Sequence, residues 1–235
     1  MATAYNPRLA TSGLIAYFDP ANTASYGGSG SSLNNLAGSG NSLTLYGSPA
    51  FSSNNLGYFT FNSASSNYGE NTSPTGLSGN AEVTLAAWVY PTSVNNSYEA
   101  VIAYGGLATS GDSLAITFNT ANRAWGLAFN GGNDMATAAG SYTLNAWNYI
   151  VATKTPGAAN TTTKLYLNGS EVAAATTTTI TPNVASRVIR LGRWLNDPQP
   201  LYLNGRISCA MIYNRALSAS EVASNFSALR GRYGV

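Results

Sequence analysis

The sequence is poor in the residues that carry most enzyme chemistry and most surface charge. It has no histidine, one cysteine, and charged residues at only 9% of its positions. The absence of histidine removes the commonest general base and the serine–histidine triad, and a single cysteine rules out an intrachain disulfide. The net charge of +2 gives no field that would gather phosphates or anionic lipid, so we expect neither nucleic acid nor a membrane as a partner.

Long apolar runs are also missing. Nowhere do roughly 18 apolar residues follow one another, as a membrane-spanning helix would need. Residues 1–8 have neither the basic nor the apolar region of a signal peptide. We therefore expect a protein that is made in the cytoplasm without a signal peptide and whose solubility comes from neutral hydroxyl and amide groups.

Short apolar or alternating runs recur along the chain and predict an all-β fold. Both faces are apolar at residues 82–90 and 208–213, which is typical of strands covered on both sides. Asn168-Gly169 joins two such runs and is the strongest hairpin signal. Because no helix is predicted between strands, the pairing should be antiparallel, in two packed sheets.

One helix is predicted near the end of the chain. Ser218 and Glu221 have the spacing of a capping box, in which each side chain bonds the other residue's backbone N–H. Val222, Phe226 and Leu229 follow at helical spacing, and Gly231 stands where a helix often ends. Residues 1–12 show no periodicity, so we predict an N-terminal arm over 1–12. Removal of residues 1–10 is expected to leave the melting temperature unchanged and to weaken attachment to a particle or self-association. Residues 13–235 are predicted to form a single domain.

Four segments resemble the concanavalin A-like, laminin G-type jelly-roll family: residues 13–22, 147–152, 165–169 and 205–222. The resemblance covers nearly the whole chain and implies a concanavalin A-like β-sandwich with one short C-terminal helix. Residues 19–26, with a glycine-rich loop after them, are similar to the domains found in bacteriophage structural proteins. That resemblance implies a role on a virus particle.

Enzymatic relatives hydrolyse glycosides with two carboxyl groups roughly 5–9.5 Å apart. Here consecutive acids are at least twelve positions apart, the closest being Glu70 and Glu82, so we predict no catalytic site. Calcium prefers six to eight oxygen ligands, several of them carboxylates, and residues 61–68 contain no aspartate where relatives supply one. We expect no cofactor, although a calcium site using Asp112, Asp134 or Asp197 remains an alternative.

Glycan binding without a metal would use an exposed aromatic ring beside amide and hydroxyl groups. Three loops offer this combination, and Trp194 is the preferred residue because a polar, proline-containing loop follows it. The alternative is that such neighbourhoods arise by composition in an asparagine-rich chain with 15 tyrosines. The candidate residues are Tyr98, Asn130, Asp134, Trp194, Asn196 and Asp197.

Two further features are assigned structural roles. Cys209 lies in the predicted buried strand and has no neighbouring base, so it is expected to be a core residue and not a nucleophile. Arg187, Arg190 and Arg193 are interpreted as charges that protect an exposed strand edge.

The preferred hypothesis is a non-catalytic virion structural protein that decorates a bacteriophage capsid or fibre, with glycan adsorption as an added role. Its partners would be viral capsid or fibre proteins, further copies of itself and a cell-surface glycan, and its location the virion surface after synthesis in the host cytoplasm. A soluble lectin-like carbohydrate-binding module is the alternative, and a glycoside hydrolase is a third hypothesis.

Overall fold

A computed structural model of the chain describes residues 7–38, 40–54, 57–96, 98–106, 111–120, 125–128, 135–137, 142–172, 174–175, 180–184, 188–194 and 201–235. In chain order the strands are β1 (Leu14–Phe18), β2 (Ser32–Leu33), β3 (Leu43–Tyr46), β4 (Ala50–Ser52), β5 (Tyr58–Phe61), β6 (Tyr68–Asn71), β7 (Val83–Ser93), β8 (Glu99–Gly105), β9 (Ser113–Phe118), β10 (Trp125–Ala128), β11 (Met135–Thr137), β12 (Asn148–Lys154), β13 (Thr163–Leu167), β14 (Ser170–Val172), β15 (Ala174–Ala175), β16 (Ile189–Leu191) and β17 (Asn204–Tyr213). The α-helices are α1 (Ala159–Thr162) and α2 (Ala219–Leu229).

These strands form two antiparallel sheets, as predicted. The eight-stranded sheet has the order β14-β13-β12-β7-β17-β5-β4, with β1 also paired to β17. The nine-stranded sheet has the order β15-β11-β10-β9-β8-β16-β6-β3-β2. The main hydrophobic core draws on the inner faces of both, including Leu85 and Ile212 from the first and Ile116 and Ile189 from the second.

Strand β17 is covered twice, which confirms the prediction for residues 208–213. Ala210 and Ile212 point into the main core. Cys209, Met211 and Tyr213 belong to a second cluster, which also contains Val222 and Leu229 of helix α2. The helix therefore shields the middle of the eight-stranded sheet's outer face. Cys209 is buried, and this burial raises its thiol pKa to about 12. The thiol therefore stays protonated at neutral pH, which agrees with the predicted role as a core residue.

Local signals located two elements correctly. Asn168 and Gly169 have φ values of 49° and 84°, the left-handed pair that a tight two-residue hairpin needs. At α2 the Glu221 N–H donates to Ser218 Oγ at 3.3 Å, and the Ser218 N–H donates to the Glu221 carboxylate at 2.9 Å. The predicted capping box is therefore present.

Three local predictions are corrected. The helix does not stop at Gly231, because residues Arg230–Arg232 continue it as a 3₁₀ turn. The predicted strand over 171–176 is divided, since β14 pairs in the eight-stranded sheet and β15 in the nine-stranded one. A one-turn helix, α1, also stands between β12 and β13, where none was expected.

The predicted N-terminal arm is described from residue 7 and lies against the domain. Leu9 and Ala10 pack on the cluster beneath α2. The Ala10 N–H donates to Asn225 Oδ1 at 2.7 Å, and the Tyr213 hydroxyl donates to the Ala10 carbonyl at 3.0 Å. The boundary between arm and domain stays a prediction, but Leu9 and Ala10 of the predicted arm pack against the sandwich or hydrogen-bond to it.

Candidate functional site

The outer face of the nine-stranded sheet carries a row of directly opposed residues that changes character along its length. On β3, β6 and β16 the row is polar, with Thr44 opposite Glu70 and Glu70 opposite Arg190. On β8, β9 and β10 it continues with small side chains: Ala103, Ala115 and Ala128. Side chains alternate along a strand, so Tyr46 and Tyr68, two positions from Thr44 and Glu70, share this face.

Three tyrosines lie at the polar end. Tyr46 and Tyr68 are opposed on β3 and β6, and their rings stack with centroids 4.8 Å apart at an interplanar angle of 13°. Tyr202 packs on Tyr68 at 6.1 Å and 54°. Tyr46 is 42% exposed, whereas Tyr202 is buried. The stack therefore presents one open ring that rests on a fixed second ring.

Two arginines support the stack. Arg193 Cζ lies 5.0 Å from the Tyr68 ring centroid and 5.1 Å from that of Tyr202, within the range of cation–π attraction. Arg190 forms an ion pair with Glu70 and also donates to the Trp194 carbonyl at 3.3 Å. We call Tyr46, Tyr68, Tyr202, Arg190, Arg193 and Glu70 the tyrosine–arginine face.

The strand-edge interpretation of these arginines is wrong. Strand β16 is not an edge, because it pairs with β6 on one side and β8 on the other. Arg190 and Arg193 both reach Tyr68 because β16 ends at Leu191, so the regular alternation of faces stops between them. Arg187 lies outside the described residues.

The Tyr68 phenol of the ring stack is uncharged. Burial, followed by the negative charge of Glu70, raises the pKa of Tyr68, which keeps its phenol protonated. Within the described part of the chain, no hydrogen bond engages the hydroxyls of Tyr46, Tyr68 or Tyr202. These hydroxyls can therefore donate to and accept from a polar ligand.

Trp194, the preferred sequence candidate, borders this face but is not an open ring. It is 6% exposed and packs on Ala100, Ala103, Ala115 and Ala128. The loop sequence suggested an exposed aromatic platform, and the structure corrects this because the alanine patch leaves room for the indole against the sheet. A glycan contact by Trp194 stays a prediction.

Of the other sequence candidates, the structure describes only Tyr98. Tyr98 lies just before β8, has a φ of 71° and is 38% exposed, so its ring is accessible. It precedes Glu99 and Ala100, the latter a neighbour of Trp194. Four candidates lie outside the described residues: Asn130, Asp134, Asn196 and Asp197.

The described carboxylates are engaged in structural contacts. Four form ion pairs, Asp19 with Arg232, Glu70 with Arg190, Glu171 with Lys164 and Glu221 with Arg215. Glu99 has a pKa raised by burial, as a general acid needs, but it is fully buried and accepts from the Asn95 and Asn96 N–H groups. Glu82 accepts from the Ala216 N–H, and Asp112 is fully buried.

The same described part of the chain lacks the features of a metal site and of a membrane-spanning helix. No group of three or more acidic or cysteine side chains there could hold a metal ion. Of the proposed calcium ligands, Asp112 is buried and the other two lie outside the described residues. No helix among those described is long and apolar enough to cross a bilayer.

A surface depression that is separate from the tyrosine–arginine face lies beside the N-terminus of α2. It has a volume of about 540 Å³ and is lined by hydroxyl-bearing residues such as Thr153, Thr161 and Ser218. Its aromatic residue, Tyr166, is only 2% exposed, so no ring is presented for stacking. The tyrosine–arginine face is therefore the better candidate for recognition.

The three tyrosines are not among the residues predicted from the sequence, because the predicted glycan contacts all lie in loops. Tyr46 and Tyr68 are on strands, and Tyr202 follows a stretch that lies outside the described residues. One sequence signal could have identified Tyr46. In residues 43–46 the two leucines alternate with Thr44 and Tyr46, which puts Tyr46 on the same exposed face as Thr44. No sequence signal joins it to Tyr68 or Tyr202.

The sequence profile of the concanavalin A-like lectin/glucanases superfamily, of laminin G type, matches residues 57–223. The match covers more than half of the chain, so this protein belongs to that superfamily. Comparison of the sequence with curated proteins gives no match. The predicted family is confirmed, and the bacteriophage subtype is not part of this finding.

Solved structures share the fold at low identity. A Trypanosoma rangeli sialidase in complex with the inhibitor DANA is 16% identical, with a TM-score of 0.67 over 96% of this chain and 34% of the sialidase. Domain 4 of the extracellular arabinanase AbnA from Geobacillus stearothermophilus, in complex with arabinotriose, is 18% identical, with a TM-score of 0.60 over 90% of this chain and 97% of that domain.

The binding domain of Paraclostridial Mosquitocidal Protein 1 is 16% identical, with a TM-score of 0.64 over 91% of this chain and 52% of that one. The present chain thus spans about a third of the length of the sialidase structures that it matches. At these identities the comparisons establish the fold, which by itself does not determine the activity.

Proposed function

We propose that this chain is a non-catalytic glycan-binding domain that holds a neutral sugar against the tyrosine–arginine face. The observation that carries the proposal is the stacked pair of Tyr46 and Tyr68, with one ring open and one fixed. Aromatic rings bind the apolar face of a sugar, and nearby hydroxyls bond its polar edge. Arg190 is paired with Glu70 and the Arg193 guanidinium lies over the Tyr68 and Tyr202 rings, so we infer an uncharged ligand for the open Tyr46 ring.

The AbnA domain supports the glycan class, because its structure holds arabinotriose. The absence of catalysis is supported by the described carboxylates, which are paired, buried or bonded to backbone. The sequence also contains no histidine, the commonest general base. Incubation with polysaccharides should release no new reducing ends, and turnover that disappears when a single acid is replaced would contradict this part of the proposal.

The binding test compares two tyrosines of similar exposure. Tyr46→Ala should weaken binding to a neutral glycan, found first by screening an array, by roughly five- to tenfold, since an aromatic contact contributes about 1–1.4 kcal/mol. Tyr98→Ala is the matched control, because Tyr98 is 38% exposed against 42% for Tyr46. Unchanged binding by Tyr46→Ala, with loss in Tyr98→Ala, would move the site to the loop predicted from the sequence.

A virion role is the second candidate, with this domain attached to a bacteriophage capsid or fibre and the glycan site turned outward. Its support is the composition, because a surface with 9% charged residues loses little ion hydration when it packs against repeated neighbours. Gold-labelled antibody against this chain should then decorate intact particles. Unlabelled particles would contradict the virion role. If the free protein is still retained on a glycan, only the glycan-binding function remains supported.

A further inference from the structure

We propose that Arg206, on the opposite sheet, forms a second binding site, which takes the carboxylate of an acidic sugar. Arg206 lies on β17, between Thr60 of β5 and Tyr90 of β7 in register. This is the outer face of the eight-stranded sheet. The proposal goes beyond the neutral-glycan function, since it concerns another sheet and a charged ligand.

Two aromatic rings hold the Arg206 guanidinium in place. Its Cζ lies 5.0 Å from the Tyr58 ring centroid and 4.7 Å from the Tyr90 centroid. Trp147 braces both rings from the side, edge-on to Tyr58 at 5.9 Å and to Tyr90 at 5.6 Å. A guanidinium fixed in this way has lost most of its rotamer freedom before a ligand arrives, which is the preorganisation that favours tight binding.

The backbone beneath Arg206 is also fixed. A Cβ atom at Gly205 would lie 2.5 Å from the Tyr90 carbonyl oxygen, so only glycine allows β17 and β7 to approach this closely. The pairing of these two strands shifts register at Gly205. The close approach brings Arg206 and Tyr90 together at a defined position.

Arg206 differs from the ion-paired arginines. Arg190, Arg215 and Arg232 each bond a carboxylate. Arg206 has no hydrogen bond or ion pair in the described part of the chain, and none of its nitrogens is buried without a partner. It is half-buried, as are Tyr58 and Tyr90. Its N–H groups therefore face solvent from between the two rings.

The polar groups around Arg206 define the ligand. In the same described region the hydroxyls of Tyr58, Tyr90 and Thr60 have no hydrogen-bond partner either. A planar guanidinium matches a carboxylate in a two-point contact, and the flanking hydroxyls suit sugar hydroxyls. A sugar that carries a carboxylate, such as a uronic acid, supplies both groups in one ring.

The test is isothermal titration of the whole chain with hexagalacturonate, at low and at 0.5 M salt. Maltohexaose is the neutral control with equal ring number, and hexaglutamate is the carboxylate control without sugar. We expect hexagalacturonate to bind more tightly than both and to weaken as salt rises. Arg206→Gln should weaken it at least tenfold, and Arg206→Lys should recover only part of the loss because lysine lacks the two-point geometry.

The matched variant is Arg230→Gln, which removes an exposed arginine above the Phe226 ring and should leave the affinity unchanged. If Arg206→Gln lowers the melting temperature, the pair Tyr58→Phe and Tyr90→Phe removes only hydroxyls and should still weaken binding several-fold. Tyr46→Ala should leave hexagalacturonate binding intact, which separates this site from the proposed neutral one.

Three results would overturn the assignment. They are no binding of hexagalacturonate, equal affinity in Arg206→Gln, or equally tight binding of hexaglutamate, which would make the site one for acidic protein surfaces.

Discussion

Removal of residues 1–10 tests whether the N-terminal segment belongs to the folded domain. The structure predicts that truncation lowers stability, contrary to the sequence expectation of a dispensable arm. Ala10 is bonded at both backbone groups, through its N–H to Asn225 and through its carbonyl to Tyr213. Asn225 is fully buried, so the truncated protein would leave its Oδ1 atom without a partner.

The magnitude follows from these contacts. A buried polar group left unpaired costs about 1–3 kcal/mol, and each hydrogen bond contributes roughly 1 kcal/mol. Loss of the Leu9 packing adds to this, so we expect a decrease of about 3 kcal/mol in the free energy of unfolding. For a domain of this size that corresponds to a fall of roughly 6–12 °C in melting temperature.

The assay is thermal and urea denaturation of four proteins: the full chain, the truncated chain, Asn225→Ala, and the combination. Because Asn225 acts partly through Ala10, the two changes should cost less together than the sum of their separate effects. A truncated chain with an unchanged melting temperature would refute the reasoning and restore the detachable arm. Strictly additive effects would show that Asn225 stabilises α2 independently of the N-terminal segment.

Two further predictions concern the cap of α2. Ser218→Ala should lower the free energy of unfolding by about 0.5–2 kcal/mol, measured as a lower urea midpoint. Ser227→Ala, within the same helix, is the control. Equal urea midpoints for the two variants would contradict the capping box. The Arg215 guanidinium, aided by Ser218, holds the pKa of Glu221 at about 2, against an ordinary value of 4.5. Because the folded pKa is lowered, this contribution is complete above pH 4.5 and is lost as the pH falls toward 2. The side chain is 34% exposed, so screening reduces the effect to about 1 kcal/mol. Glu221→Gln should remove this part of the acid sensitivity, and an identical pH profile in the variant would disprove it.

The sequence by itself determined the elements whose causes are local. The Asn168-Gly169 turn and the Ser218–Glu221 cap each depend on residues within three positions of one another. Alternation of side chains likewise identified most strands and the double covering of β17. Because neighbouring residues supply these constraints, no knowledge of the distant chain was needed.

Only the tertiary structure decided which residues meet. Glu70 and Arg190 are 120 positions apart and become partners because β6 and β16 pair in the nine-stranded sheet. The same strand order stacks Tyr46 on Tyr68, while packing on an alanine patch takes Trp194 out of the exposed loop expected for it. Cross-strand neighbours are set by the sheet order and not by sequence spacing. For that reason the sequence could predict the fold, whereas the candidate recognition surfaces were visible only after the strands were in place.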